Sequence, residues 1–238
     1  MSCSAKLPIY GMITAAFFPE HTALILISVY LIGIFVAILS ALLLKRTVFQ
    51  GESVPFVLEL PAYRIPSAKS VLLHMWEKAK DFLRKAFTII FVASIIIWFL
   101  QSFDFAFNFV EDSSTSMLAN IGTWISHIFA PLGFEDWRAS TALVTGITAK
   151  ESVVSTLSVL TNTTSDAGLS VALQTIFSPV SAFAFLCFTV LYMPCVAAFA
   201  ATKRELGSMK QALATVAYQT GVAYVVALLV YQIGSLLF

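Results

Sequence analysis

Four stretches of the chain carry no charged side chain: residues 22–44, 87–103, 179–202 and 211–238. A helix needs about 20 apolar residues to cross the hydrocarbon core. The pattern therefore predicts four transmembrane helices, residues 87–103 being the shortest. Three weaker segments lie between and before them. Residues 7–19 are too short to span alone and read as the tail of a helix or hairpin. Residues 117–131 are also short and carry His127. Residues 138–160 are long enough, but Lys150 and Glu151 sit in their middle. Residues 67–86 have another character. Ser67 is the expected N-cap after Pro66. Leu72, Met75, Trp76, Ala79, Phe82, Leu83 and Ala86 recur at helical spacing, with Lys69, Lys78, Arg84 and Lys85 opposite. Such a basic amphipathic helix is expected to lie in the cytoplasmic interface, positioning the next span or docking a cytoplasmic domain.

Composition agrees with this reading. Apolar residues are 59% of the 238 and charged ones 11%, where soluble proteins carry about 25% charge. The mean hydropathy is +0.89. The expected fold class is an all-α, polytopic transmembrane helical bundle. A net charge of +1 provides no basic field for nucleic acid. Charge distribution gives the orientation: Lys45 and Arg46 through Lys85, and Lys203 through Lys210, crowd two connections that should be cytoplasmic. Residues 104–116 and a loop at 161–173 contain no Lys or Arg and should face outside. Whether the stretch between them crosses twice or dips in and returns is open. Three cysteines, Cys3, Cys187 and Cys195, in near-apolar surroundings do not suggest a disulfide framework.

Nucleotide-binding P-loops, G-x-S-x-G elbows, H-E-x-x-H pairs and C-x-x-C pairs are all absent from the sequence. Two internal signals stand out. A charge at the bilayer centre costs about 2.5–3.5 kcal/mol on insertion scales, so Lys150 and Glu151 are functional candidates. Thr141, Thr145, Thr148, Ser152 and Ser155 form one hydroxyl stripe on a helical wheel. Glu151 lies about 80° from its centre and Lys150 nearly opposite. Either the helix breaks near Gly146 or Lys150 finds a separate partner. The alternative is that both charges pair with other helices and only hold the bundle together. The second signal is Met193-Pro194-Cys195, where a proline frees a carbonyl between two sulfur side chains. Sulfur donors favour softer or borderline transition metals over Mg²⁺ or Ca²⁺; an ordinary proline kink is the plainer reading. Met1-Ser2-Cys3-Ser4-Ala5 echoes Met193-Pro194-Cys195-Val196-Ala197. Likewise, Val29-Tyr30-Leu31-Ile32-Gly33 echoes Val230-Tyr231-Gln232-Ile233-Gly234. Two related halves around a central site is a transporter design. Cys187 lacks such a counterpart and reads as a core residue.

Taken together, M-S-C-S-A-K-L-P-I-Y, F-F-P-E-H, L-E-L-P-A-Y-R-I-P, G-I-T-A-K-E and M-P-C-V-A-A resemble the membrane half of bacterial ferrous iron transport protein B. The resemblance implies Gate-type broken or re-entrant helices. It divides the chain into the end of a first Gate motif (1–20), a transmembrane helix and cytoplasmic loop (21–60), the amphipathic interfacial helix (61–86), a second Gate region (87–206) and a C-terminal transmembrane helix (207–238). It also implies Fe²⁺ as the transported substrate, with no tightly bound cofactor. Cys3, Cys195, Glu151 and Met193 are the expected metal ligands. No catalytic residue is expected, since the family's GTPase domain does not align with this chain, which thus looks like a fragment or split product. GTP would act only through that G domain or a separate GTP-binding protein. The other expected partner is the lipid bilayer of the inner membrane; homo-oligomerisation stays open. Transport of an organic solute such as a nucleoside, or a non-transporting membrane subunit, are the alternatives.

Overall fold

The computed structural model of the protein describes residues 3–47, 66–85, 91–110, 115–161, 163, 165–192 and 195–237. The L-E-L-P-A-Y-R-I-P stretch, Glu111, Asp112, Met193 and Pro194 lie outside the described residues. The described fold is an all-α membrane bundle. A 3₁₀ turn, Ser4–Lys6, leads into α1 (Leu7–Phe17), followed by α2 (Thr22–Thr47) and α3 (Ala68–Lys85). Next come α4 (Phe91–Ser102), α5 (Met117–Phe129) and a second 3₁₀ turn, Ala130–Leu132. The remaining helices are α6 (Trp137–Thr145), α7 (Ser152–Leu160), α8 (Asp166–Ile176), α9 (Pro179–Leu191), α10 (Val196–Leu206) and α11 (Met209–Leu237). Thr22–Thr47 and Met209–Leu237 are long and apolar enough to cross a membrane, and so is Pro179–Leu206, which takes in α9, α10 and two residues between them outside the described ones. They coincide with three of the four expected spans. The fourth is helical over Phe91–Ser102.

Local sequence signals explain several boundaries. Ser67 Oγ accepts from the Ser70 amide at 3.3 Å, as the expected N-cap of α3 should. Ser116 caps α5 by accepting from Ala119 N–H at 3.1 Å. Ser178 and Ser181 form a reciprocal capping box at the start of α9, with Pro179 in its first turn. The expectation of a loop over residues 161–173 is corrected: α8 begins at Asp166. Its Ser165 cap accepts from Gly168 N–H at 3.2 Å. Leu169 and Leu173, one turn apart, are buried. α8 packs on α1, and Gln174 Nε2 donates to the Ala16 carbonyl at 2.8 Å.

The bundle is organised around α9, which packs on α1, α2 and α11. Phe185 and Phe188 on this helix are fully buried, as is Phe134 ahead of α6. Phe129 stacks on Phe134 and meets Phe188 edge-on, both at 5.3 Å between centroids. From the other side, α11 fastens the α5–α6 turn. The Tyr224 hydroxyl donates to Ile128 O at 2.8 Å and Gln232 Nε2 to Pro131 O at 3.3 Å. Gly133, in the left-handed region with φ +78°, leaves the place of its missing Cβ to the Tyr231 ring. The two echoed V-Y-x-I-G segments face the same helix. Gly33 of α2 receives Val190, and Gly234 of α11 receives Val180. Neither could carry a side chain without displacing its valine.

Candidate functional site

The stretch 138–160 is broken, not continuous. α6 ends at Thr145, and residues 146–151 form a turn before α7 begins at Ser152. Gly146 N–H donates to Ala142 O at 2.9 Å, and Thr148 N–H to Thr145 O at 3.0 Å, which tightens the end of α6. Thr145 and Thr156 are eleven residues apart, about 16 Å along a continuous helix. Their hydroxyls lie 2.9 Å from each other, so α7 folds back towards α6. A second break separates α9 from α10, whose N-cap is Cys195. The two breaks are joined directly. Val196 N–H, at the start of α10, donates to Ile147 O in the first break at 2.8 Å. A backbone donor with no partner in its own helix is thereby satisfied inside an apolar bundle.

Two lysines close on this junction. Lys6 is buried, and its Nζ donates to Val190 O at 2.7 Å, near the C-terminal end of α9. Lys150 is 2% exposed. Its ammonium lies 3.2 Å from the centroid of the Tyr192 ring, a cation–π contact in a desolvated place. The Tyr192 hydroxyl reaches Leu143 O on α6 at 3.4 Å. Lys6 N–H donates to the Cys3 carbonyl at 3.1 Å, which ties Cys3 to the same turn. Cys3 is exposed and Cys195 half-buried; Cys187 is buried within α9, and all three are free thiols.

The opposite side of the first break is lined by hydroxyls. Thr145, Thr148, Ser152, Ser155 and Thr156 face Ile97, Trp98 and Gln101 of α4 across a cavity of about 210 Å³. Four members of the stripe identified in the sequence line this cavity. Thr141 does not; it packs against Gly122 of α5. Lys150 points to the Tyr192 ring, whereas Glu151 is exposed and is not among the cavity's lining residues. No three His, Cys, Asp or Glu side chains converge among the described residues. Met193 falls outside the described residues. Sequence reasoning missed Lys6, Tyr192, Gln101 and Thr156. Tyr192 adjoins the Met-Pro-Cys signal, and Lys6 is a charge just ahead of an apolar helix.

Two helix breaks joined by a backbone hydrogen bond within an apolar bundle define a polytopic membrane protein with discontinuous helices. The family model described as Gate, nucleoside recognition, matches residues 83–209. The model described as ferrous iron transport protein B C terminus matches residues 26–78. The chain belongs to the Gate family. It is 40% identical to the Fe(2+) transporter FeoB of Staphylococcus aureus (strain COL) over 236 residues, 99% of this chain and 35% of the relative. It is also 40% identical to the Fe(2+) transporter FeoB of Methanocaldococcus jannaschii, over 100% of this chain and 36% of the relative. A Porphyromonas gingivalis Fe(2+) transport protein A/Fe(2+) transporter FeoB fusion protein is 36% identical, over 100% of this chain and 34% of the relative. The chain thus spans about a third of the length of these relatives. No solved structure matches it.

Proposed function

We propose that this chain is the permease portion of a ferrous iron uptake transporter in the cytoplasmic (inner) membrane, and that Fe²⁺ passes the junction of the two helix breaks. One observation supports the reading: Cys195 caps α10 where Val196 N–H reaches Ile147 O, and Cys3 stands one turn ahead of Lys6, whose Nζ reaches Val190 O. Thiols with carbonyl oxygens form a donor set suited to a borderline ion such as Fe²⁺. Cys3 and Cys195 hold the partly dehydrated ion in this reading, with Met193 as a third sulfur donor. Glu151 would contribute a carboxylate at the entrance. The chain itself performs no nucleotide chemistry. GTP would act through a G domain or separate GTP-binding protein docking at the cytoplasmic face.

A second reading, transport of a small organic solute, draws on the cavity beside α4, where Gln101 and five hydroxyls meet Trp98. Its volume of about 210 Å³ falls below the roughly 300–1,000 Å³ of small-molecule sites. That size suits a hydrated ion better, which makes this cavity the vestibule of the same path. The test is ⁵⁵Fe²⁺ uptake by cells producing a full-length FeoB whose membrane region is replaced by this chain. Cys195→Ser and Cys3→Ser should each lower initial uptake at least tenfold at equal membrane abundance. Undiminished iron uptake by both variants would overturn the thiol path; saturable uptake of a nucleoside in place of iron would favour the second reading.

A further inference from the structure

The cavity beside α4 has a hydrogen-bonding polarity that its residue types alone do not show. A threonine hydroxyl carries one proton and two lone pairs. Thr145 Oγ1 gives its proton to the Ala142 carbonyl at 2.9 Å, and Thr148 Oγ1 gives its own to Thr145 O at 2.7 Å. The 2.9 Å contact between the Thr145 and Thr156 hydroxyls therefore takes its proton from Thr156. All three threonine protons are spent inside the protein, and what this wall offers the cavity is oxygen lone pairs. Ser152 and Ser155 add two more hydroxyl oxygens, and Gln101 adds a carboxamide from α4. None of the described lining residues is charged.

A neutral wall cannot repay the dehydration of a divalent ion. It can take the ion with its water attached. Every outward atom of such a shell is an O–H donor, and water-bridged hydrogen bonds are nearly as good as direct ones. The size agrees. At about 30 Å³ of liquid volume per water, 210 Å³ is about seven waters, close to the six of an octahedral aqua ion. We infer that the cavity is an outer-sphere site: it holds a fully hydrated divalent cation through its water and reads the shell, not the metal. Thr145, Thr148 and Thr156 are its acceptors. Aqua ions of similar size present the same surface, so Mg²⁺, Mn²⁺ and Fe²⁺ enter alike. Choice among them falls to softer donors elsewhere on the path. Mg²⁺, which gives up water reluctantly, slows iron entry by occupying this cavity.

The inference rests on the transport reading for the identity of the ion, and the experiment separates the two. The probe is hexaamminecobalt(III). Its ammonia ligands point N–H donors outward and do not exchange, so it binds only through its shell. Equilibrium dialysis against the purified chain in zwitterionic nanodiscs is run at about 0.15 M salt, which screens exposed carboxylates. It should find one saturable site per chain, emptied by Mg²⁺. Thr148→Val should weaken binding at least fivefold. Ser155→Ala should weaken it at least twofold, and it truncates an exposed side chain without opening the core. Lys210→Gln should leave binding unchanged. Gln101 sits in the last turn of α4, beside residues expected outside, so the complex is also added outside spheroplasts carrying the full-length chimera. There it should lower initial ⁵⁵Fe²⁺ uptake competitively. Cysteine-dependent iron uptake with no saturable binding of the complex, or with binding indifferent to both substitutions, would refute the outer-sphere site and leave the transport reading standing. Saturable, substitution-sensitive binding, with iron uptake that survives both cysteine variants, would keep the site and remove the thiol path.

Discussion

Tyr192 separates two ways of holding Lys150. Its ring carries the ammonium, and its hydroxyl makes only a long hydrogen bond to Leu143 O. Tyr192→Phe keeps the ring and should change stability by less than about 1 kcal/mol. Tyr192→Leu removes the π face and should cost about 2 kcal/mol. Thermal unfolding midpoints in one detergent would rank the two. The Thr145–Thr156 hydroxyl pair offers a second test. Thr145→Val should cost about 0.6–1.7 kcal/mol, the range measured for hydrogen bonds between membrane helices. Adding Thr156→Val should cost little more, because the second substitution removes a partner already lost. At this scale the sequence was only half informative. The anomaly of Lys150 within an apolar segment was visible, and so was the hydroxyl stripe. That Lys6 belongs to the same place was not, since it meets Val190 from 184 residues away. Nothing local to either residue encodes that distance.

The helix breaks set the arrangement of the elements. At Gly146, a Cβ would lie 2.5 Å from Val153 Cγ2 and 2.7 Å from the Tyr192 hydroxyl. Gly146→Ala should therefore push α7 away from Tyr192 and lower iron uptake in the full-length chimera at least tenfold, with membrane abundance preserved. Gly133→Ala tests the other turn. A left-handed alanine costs about 1–2 kcal/mol, and the methyl would collide with the Tyr231 ring. Pairing it with Tyr231→Leu should recover the part of the loss caused by collision, and differential unfolding would measure that recovery. The sequence offered a break near Gly146 or a separate partner for Lys150, because the two charges point in different directions on one helix; the structure has both. It gave little notice of α8, since Thr161, Asn162, Thr163 and Thr164 read as a loop. The apolar pair Leu169 and Leu173 needed α1 as a partner before its helical spacing had meaning.

For the molecule as a whole, α2 ends in Lys45 and Arg46, and α10 in Lys203 and Arg204. Both ends should be cytoplasmic. Single cysteines at positions 45 and 203 should react with an impermeant maleimide only from the cytoplasmic side, and one at position 105 only from outside. Orientation depends on the sum of many charges and not on any one contact, so this labelling tests the reading directly. The helix α3 exposes Leu72, Met75, Trp76 and Leu83, so a peptide of residues 66–85 should bind anionic vesicles and become helical by circular dichroism. The glycine notches of α2 and α11 have a mechanical consequence. Val180 and Val190 are ten residues apart, about 15 Å of helix, and each is lodged in a notch on a different neighbour. A rod pinned at two separated points on two sides can neither slide nor tilt unless both pins leave together. α9 is then a fixed post, and any opening of the junction must move α10 relative to it. Spin labels spanning α2 and α9 should keep their separation during transport, while labels spanning α2 and α10 should not.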